Sequence, residues 1–145
     1  MKKIFLSFII LGIAFQVQSQ EWQTNLTKAK EIAAEKTQAI VLVFQGSDWC
    51  APCMKLDKEI WSTESFKTYA ADNYVMLKAD FPRRKANRLA EDQQAHNDKL
   101  AEKFNQKGYF PHVVILNSKE EVLGRLGYKK VSPEEYINLI DNFIH

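Results

Sequence analysis

Residues 40–45 read IVLVFQ, an unbroken apolar run rich in β-branched residues. It does not alternate between apolar and polar, so it is not a strand with one wet face. Such a run is the signature of a strand buried on both faces. A sheet covered on both sides needs helices on both sides, and the flanking sequence supplies them. Residues 25–37, NLTKAKEIAAEKT, are rich in Ala, Lys and Glu and read as a helix, capped by Thr24 or Asn25. After the turn GSDW a helix opens near Ala51, with Met54, Leu56, Ile60 and Trp61 as core candidates. Ser62-Thr63 offers a fresh cap, and a second helical piece runs to about Ala71. YVMLKAD, 74–80, is the next strand, and FPRRKAN breaks it. Residues 87–106 are polar and helical, with Leu89, His96, Leu100 and Phe104 along one face, and Gly108 ends them.

HVVIL, 112–116, is a third strand behind Pro111. The turn Asn117-Ser118-Lys119 leads to EVLGRLGY, a strand whose two glycines allow bends or close packing. Ser132-Pro133-Glu134-Glu135 is a capping box with Pro at the first helical position. The last helix, 133–144, is expected to bury Tyr136, Ile140 and Phe143 or Ile144. The order is α-β-α-β-α-β-β-α, with a weakly signalled strand at 21–23. It predicts an α/β fold: a central mixed β-sheet flanked by helices, closed by an antiparallel β-hairpin plus helix.

The chain has 145 residues, enough for one domain of ordinary size. Residues 1–19 read as a signal peptide rather than as part of the fold. Lys2 and Lys3 form a basic start, IFLSFIILGIAF follows, and Val17 and Ser19 sit at −3 and −1 of a cleavage site after Ser19. The alternative is a retained anchor, but the apolar run falls short of the about 20 residues a bilayer span needs. With no cysteine near the cleavage site, a lipoprotein anchor is excluded. The expected product is an exported domain, 20–145, periplasmic or secreted and not inserted in a membrane. Of 20 basic and 18 acidic residues, removal of Lys2 and Lys3 leaves 18 of each. A formal net charge of zero, with no basic stripe carrying interleaved aromatics, gives no reason to expect nucleic acid.

Export gives meaning to the cysteine count. The chain has two cysteines, Cys50 and Cys53, in GSDWCAPC. Disulfides persist outside the cytoplasm, but a disulfide scaffold would need several pairs. A staple across so short a loop is the least useful one, because stabilisation grows with loop length. Two ligands are half of a structural zinc site, and His96, His112 and His145 form no second compact pair. Haem attachment needs His after the second Cys, where Met54 stands. A redox pair fits the placement between a buried strand and a helix. Cys50 then lies at the helix N-terminus, where free N–H groups and the dipole stabilise a thiolate. It is expected to be exposed and to act as the nucleophile. Cys53, one turn inside, is expected to be more buried and to resolve the mixed disulfide. Pro52 keeps the first turn rigid.

IVLVFQGSDWCAPCMKLDKEIW resembles the active-site strand, loop and helix of the thioredoxin-like superfamily, in the form used by exported bacterial members. The resemblance extends in element order over residues 22–145, including GYFPHVVIL. It implies a thioredoxin fold, a redox-active Cys50–Cys53 disulfide and thiol:disulfide oxidoreductase activity, with no cofactor or metal. It also implies a cis Phe110–Pro111 bond facing that disulfide. The backbone of Phe110 would pair with an extended substrate, with Trp49 as a wall and Ala51, Pro52 and His112 completing the substrate-facing surface. The plainer reading of Pro111 is a loop proline that begins a strand.

Three departures stand out. Alignment on WCAPC puts Phe44 where the family carries a buried acid, so proton transfer falls to water, Asp48 or Asp80. His112 stands where Thr is common. It is either an imidazole beside the disulfide that steadies a thiolate when protonated, or an ordinary strand-end His. FPRRKANR lengthens the connection after the third strand, as a partner-binding basic patch or a solvated helix start.

Ala51-Pro52 adds no charge and no donor between the cysteines. The pair is therefore expected to be reducing, nearer the thioredoxin value of about −270 mV than the strong-oxidant value of about −120 mV. The reading is a periplasmic reductase of exported disulfide proteins, fed by a membrane thiol-reductant transporter. The alternatives are a disulfide oxidase or isomerase, or a Cu(I) metallochaperone using Cys50, Cys53 and His112. A redox-inactive binding module is disfavoured because both cysteines are present.

Overall fold

The computed structural model describes residues 20–145; the expected signal peptide lies outside the described residues. Residues 39–45 form the strand β2 (Ala39–Gln45), and it is central. Ile40, Val41, Leu42, Val43 and Phe44 are each at most 1% exposed. Around it stand β1 (Trp22–Gln23), β3 (Tyr74–Asp80), β4 (His112–Leu116) and β5 (Val122–Leu126), in the spatial order β1-β3-β2-β4-β5. β1 and β2 run parallel to β3; β4 is antiparallel to β2, and β5 to β4. This is the mixed sheet with a closing hairpin that the sequence leads one to expect. The weakly signalled first strand is present and pairs with β3 at Met76 and Leu77.

The helices are α1 (Leu26–Lys36), α2 (Ala51–Leu56), α3 (Glu64–Asn73), α4 (Glu91–Phe104) and α5 (Pro133–Ile144). α2 runs on into a π-helical turn, Asp57–Trp61, which the sequence did not signal. Alternate residues of β2 feed two cores. Val41 and Val43 pack with Leu56, Ile60, Phe66 and Tyr136, from α2, the π turn, α3 and α5. Ile40, Leu42 and Phe44 pack with Ala29, Ala33, Leu100 and Phe104, from α1 and α4. The period of two in a strand thus assigns one residue set to each layer.

Local chemistry sets the helix starts. Asn25 caps α1, its side chain accepting the Lys28 N–H, and Thr63 caps α3. Ser132 and Glu135 form a full capping box on α5. His96 accepts the Leu26 N–H at 3.1 Å and so ties α4 to the start of α1. Buried Asn97 donates to the Asp80 carbonyl at 2.9 Å, which fixes α4 against the end of β3.

One expectation needs correction. The helix expected over 87–106 is Glu91–Phe104; residues 85–87 make one 3-10 turn, and Arg88 and Ala90 are extended, so Leu89 lies outside the helix. The extra length is held open by Asp48. Its carboxylate accepts the backbone N–H groups of Arg83 and Arg84 and the Asn87 side-chain amide, each at 2.9 Å. At the end of α5, where Phe143 or Ile144 is expected to face inward, Ile144 packs against the core. Phe143 is 37% exposed, with its ring across Gly124 of the edge strand β5, where a Cβ would collide with it. Tyr136 and Ile140 are buried as expected.

The donors on Asp48, the Arg83 N–H first, hold its carboxyl down at about 2. A folded-state pKa below the unfolded one stabilises the fold above the ordinary carboxylate range, and the contribution vanishes as pH falls through the folded value. Asp48→Asn should therefore have a lower denaturation midpoint than wild type above about pH 4, the gap closing toward about pH 2. A gap of constant size across that range would contradict this account. Trp61 is 2% exposed and meets Trp22, Phe66 and Tyr136 edge-on, with ring centroids 6.2, 4.7 and 5.3 Å away. Trp61→Ala should cost about 3–5 kcal/mol in urea denaturation, as large aromatic deletions from packed cores do.

Candidate active site

β2 delivers the chain to the end of the sheet at Gly46, and the turn that follows is fixed from three sides. Gly46 has no Cβ because the Trp49 ring occupies that space. Ser47 donates its N–H and its hydroxyl to the Asp80 carboxylate at 2.9 and 2.6 Å. Trp49 donates its indole N–H to the Phe81 carbonyl at 2.7 Å. Cys50 then caps α2 in an extended conformation.

Cys50 and Cys53 form a disulfide, with Cα atoms 5.2 Å apart. The Cys53 N–H points at the Cys50 sulfur at 3.3 Å. The sulfur therefore occupies the place of an N-cap acceptor, where a thiolate would collect an unpaired helix donor. Cys50 is not exposed, contrary to expectation: it is 3% exposed and Cys53 4%. Bonding to Cys53 turns the Cys50 sulfur back over the first turn of α2, and the residues left open between them are Ala51 and Pro52.

The Phe110–Pro111 peptide is cis. Phe110 meets Trp49 edge-on at 5.3 Å and Phe81 at 5.6 Å, so the 108–111 segment leans on the same indole that borders the disulfide. Trp49, Phe81, Phe110 and Arg83 line an open cleft of about 600 Å³. The Arg83 guanidinium lies 3.7 Å from the Trp49 ring centroid, a cation–π contact.

His112 is not placed beside the disulfide. It pairs with Phe44 across β2 and β4, and its ring lies 6.1 Å from those of Phe44 and Tyr109. That is the α4 face of the sheet, opposite the face on which α2 packs. Burial, helped by the Arg125 charge, pushes its pKa down and favours the neutral ring. Among the described residues no three His, Cys, Asp or Glu side chains come together to hold a metal ion. The set Cys50, Cys53 and His112 is split by the sheet, and the Cu(I) reading loses its third ligand.

Phe44 likewise faces α4, so it is not the group beneath Cys53. A cleft of about 180 Å³ reaches Cys53 from the α2 side and is lined by Gln45, Ser47, Met54, Asp57 and Lys78. The two proton carriers suggested by sequence are occupied elsewhere, Asp48 with the 83–87 backbone and Asp80 with Ser47. Asp57 and Lys78 were missed. The signal for Asp57 was its position four residues after Cys53, one helical turn along the same face. Lys78 has no such signal, because its placement follows from the register that sets it beside Val43.

Comparison with known proteins agrees with this geometry. The chain is 28% identical over 120 residues to the disulfide bond reductase DsbH of Chlamydia pneumoniae, covering 83% of this chain and 70% of that protein. It is 25% identical over 124 residues to the thioredoxin-related protein DsbJ of the same organism, covering 86% of this chain and 34% of that longer protein. A solved structure of a DsbH oxidoreductase superposes with a TM-score of 0.80 at 25% identity, over 95% of this chain and 94% of the other. The sequence model of the thioredoxin-like family matches residues 21–118, from β1 through the disulfide to the end of β4, and the chain belongs to that family.

Proposed function

We propose that this chain is an exported thiol:disulfide oxidoreductase of the periplasm, made with residues 1–19 as a removable signal, that reduces disulfides of other exported proteins. The observation that carries the reading is the Cys50 sulfur at the cap of α2, facing the Cys53 N–H and bonded to Cys53. In the reduced enzyme the Cys50 thiolate attacks one sulfur of a partner disulfide. A mixed disulfide forms and the other partner sulfur leaves as a thiolate. Cys53, deprotonated, then attacks the Cys50 sulfur, closes the Cys50–Cys53 disulfide and releases the second partner thiol. Two electrons pass from the enzyme to the partner, and a thiol-reductant transporter in the membrane would return them. Trp49, Ala51, Pro52, Phe110 and Pro111 form the surface on which the partner chain lies.

Three features support reduction over oxidation. Ala51-Pro52 brings no charge to the pair. His112, the group best able to stabilise a reduced thiolate when protonated, lies across the sheet and is held toward neutrality. The similarity to a protein named as a disulfide bond reductase points the same way. No helix among the described residues is long and apolar enough to cross a membrane.

Cys50→Ser should abolish reduction of a disulfide substrate such as insulin in the presence of dithiothreitol. Cys53→Ser should instead trap the mixed disulfide, visible as a covalent adduct on a non-reducing gel. Equal turnover by wild type and Cys50→Ser would end the mechanism. Titration against glutathione or dithiothreitol buffers should give a potential near about −270 mV, and a value above about −170 mV would assign oxidation or isomerisation instead.

A further inference from the structure

The sequence has four arginines, Arg83, Arg84, Arg88 and Arg125. None takes part in a salt bridge among the described residues, where the ion pairs all use lysine. Three of the four stand on the segment after β3, where the acid that meets Arg83 and Arg84, Asp48, bonds their backbone. Its carboxylate spends its acceptor capacity on the backbone N–H groups of Arg83 and Arg84, not on their guanidinium groups. The acid orders the segment without a hydrogen bond to either guanidinium group. The Arg83 guanidinium lies over the ring of Trp49, the residue before Cys50.

Arg125 comes from β5 on the other side of the 109–112 segment. With Lys107, Tyr109 and His112 it lines a second cleft of about 350 Å³. Neither this cleft nor the one beside Trp49 has an Asp or Glu in its wall. Glu120 is held by Lys30 and by Lys103, a residue of the second cleft's wall. A chain whose expected exported form carries as many acids as bases has therefore placed guanidinium groups that form no salt bridge on both flanks of Phe110–Pro111.

We propose that this rim is a docking surface for an acidic polypeptide segment, so that the enzyme selects disulfides flanked by Asp and Glu. The proposal rests on the oxidoreductase reading, which makes the molecule lying on this edge a polypeptide. Carboxylates are the anions a polypeptide supplies, and guanidinium forks bind them through two parallel hydrogen bonds. Uncompensated charge of one sign beside a reactive centre also raises the encounter rate of the opposite charge, by about 10- to 1,000-fold at low salt.

The test uses three synthetic peptides that share one disulfide and differ only in flanking Glu, Gln or Lys residues. The rate of oxidation of the reduced protein is followed by tryptophan fluorescence. The Glu peptide should react at least about tenfold faster than the Lys peptide at low ionic strength, the ratio collapsing toward one near about 0.5 M salt. In Arg83→Gln/Arg125→Gln the ratio should fall to within about twofold of one; being internal to each protein, it is not moved by a general loss of activity. Equal wild-type rates, a preference that survives salt, or an unchanged ratio in the variant would overturn the proposal. So would binding to phosphatidylglycerol vesicles or to a single-stranded oligonucleotide without preference among the peptides. If no peptide is reduced, the oxidoreductase reading fails on its own. Docking is then read from fluorescence anisotropy of a labelled Glu peptide with serines in place of its cysteines, and absence of binding overturns it.

Discussion

Everything in this fold depends on burying both faces of β2. Five consecutive residues, Ile40 to Phe44, have essentially no contact with water. Covering about five such side chains supplies several kcal/mol, and only helices on both sides of the sheet can do it. α1 and α4 take one face; α2, α3 and α5 take the other. The strand must then stop where its cover stops. Gly46 marks that point, and the chain turns there directly into the cap of α2. The disulfide is thus placed at the rim of the sheet by the same burial that makes the sheet.

Trp49 converts this placement into a site. Its ring sits against Gly46, its N–H holds the Phe81 carbonyl, its face carries Arg83 and its edge meets Phe110. Two segments distant in sequence, 81–83 and the one carrying Phe110, converge with its own turn on one indole. Asp48 next to it fixes the backbone after β3 at two further points. Neighbouring residues of one turn therefore orient both the cis-proline segment and the basic segment relative to the cysteines.

What the sequence made legible was local. The apolar run of β2, the Asn25 cap, the capping box at Ser132 and the strand–Cys–helix order each depend on a few adjacent residues, and each is present. What it did not make legible depends on register or on distant partners. Alignment set Phe44 beneath the cysteines and left His112 either beside the disulfide or as an ordinary strand-end residue. Strand parity sends both side chains to the α4 face, which leaves the strand-end reading of His112. Helix α4 was drawn too long because nothing local to residues 87–90 stops a helix. The segment just before them is fixed by bonds to Asp48, some 35 residues earlier. Cys50 was expected to be open because turns usually are, and the disulfide itself folds its sulfur inward.

The same parity separates two tasks. Arg83, Arg125, Tyr109 and His112 line the two clefts beside the cis-proline segment. Cys53 opens instead toward the α2 side, where Asp57 and Lys78 line its cleft. A proton leaving Cys53 during resolution has polar groups and solvent access there, across the sheet from the charges that would meet a partner. The guanidinium groups act on encounter, through fields that salt screens over about 10 Å at 0.1 M. The sulfur chemistry acts through a helix cap that salt hardly reaches. On the proposed reading, one sheet, buried on both faces, keeps the choice of partner and the exchange of electrons on separate sets of residues.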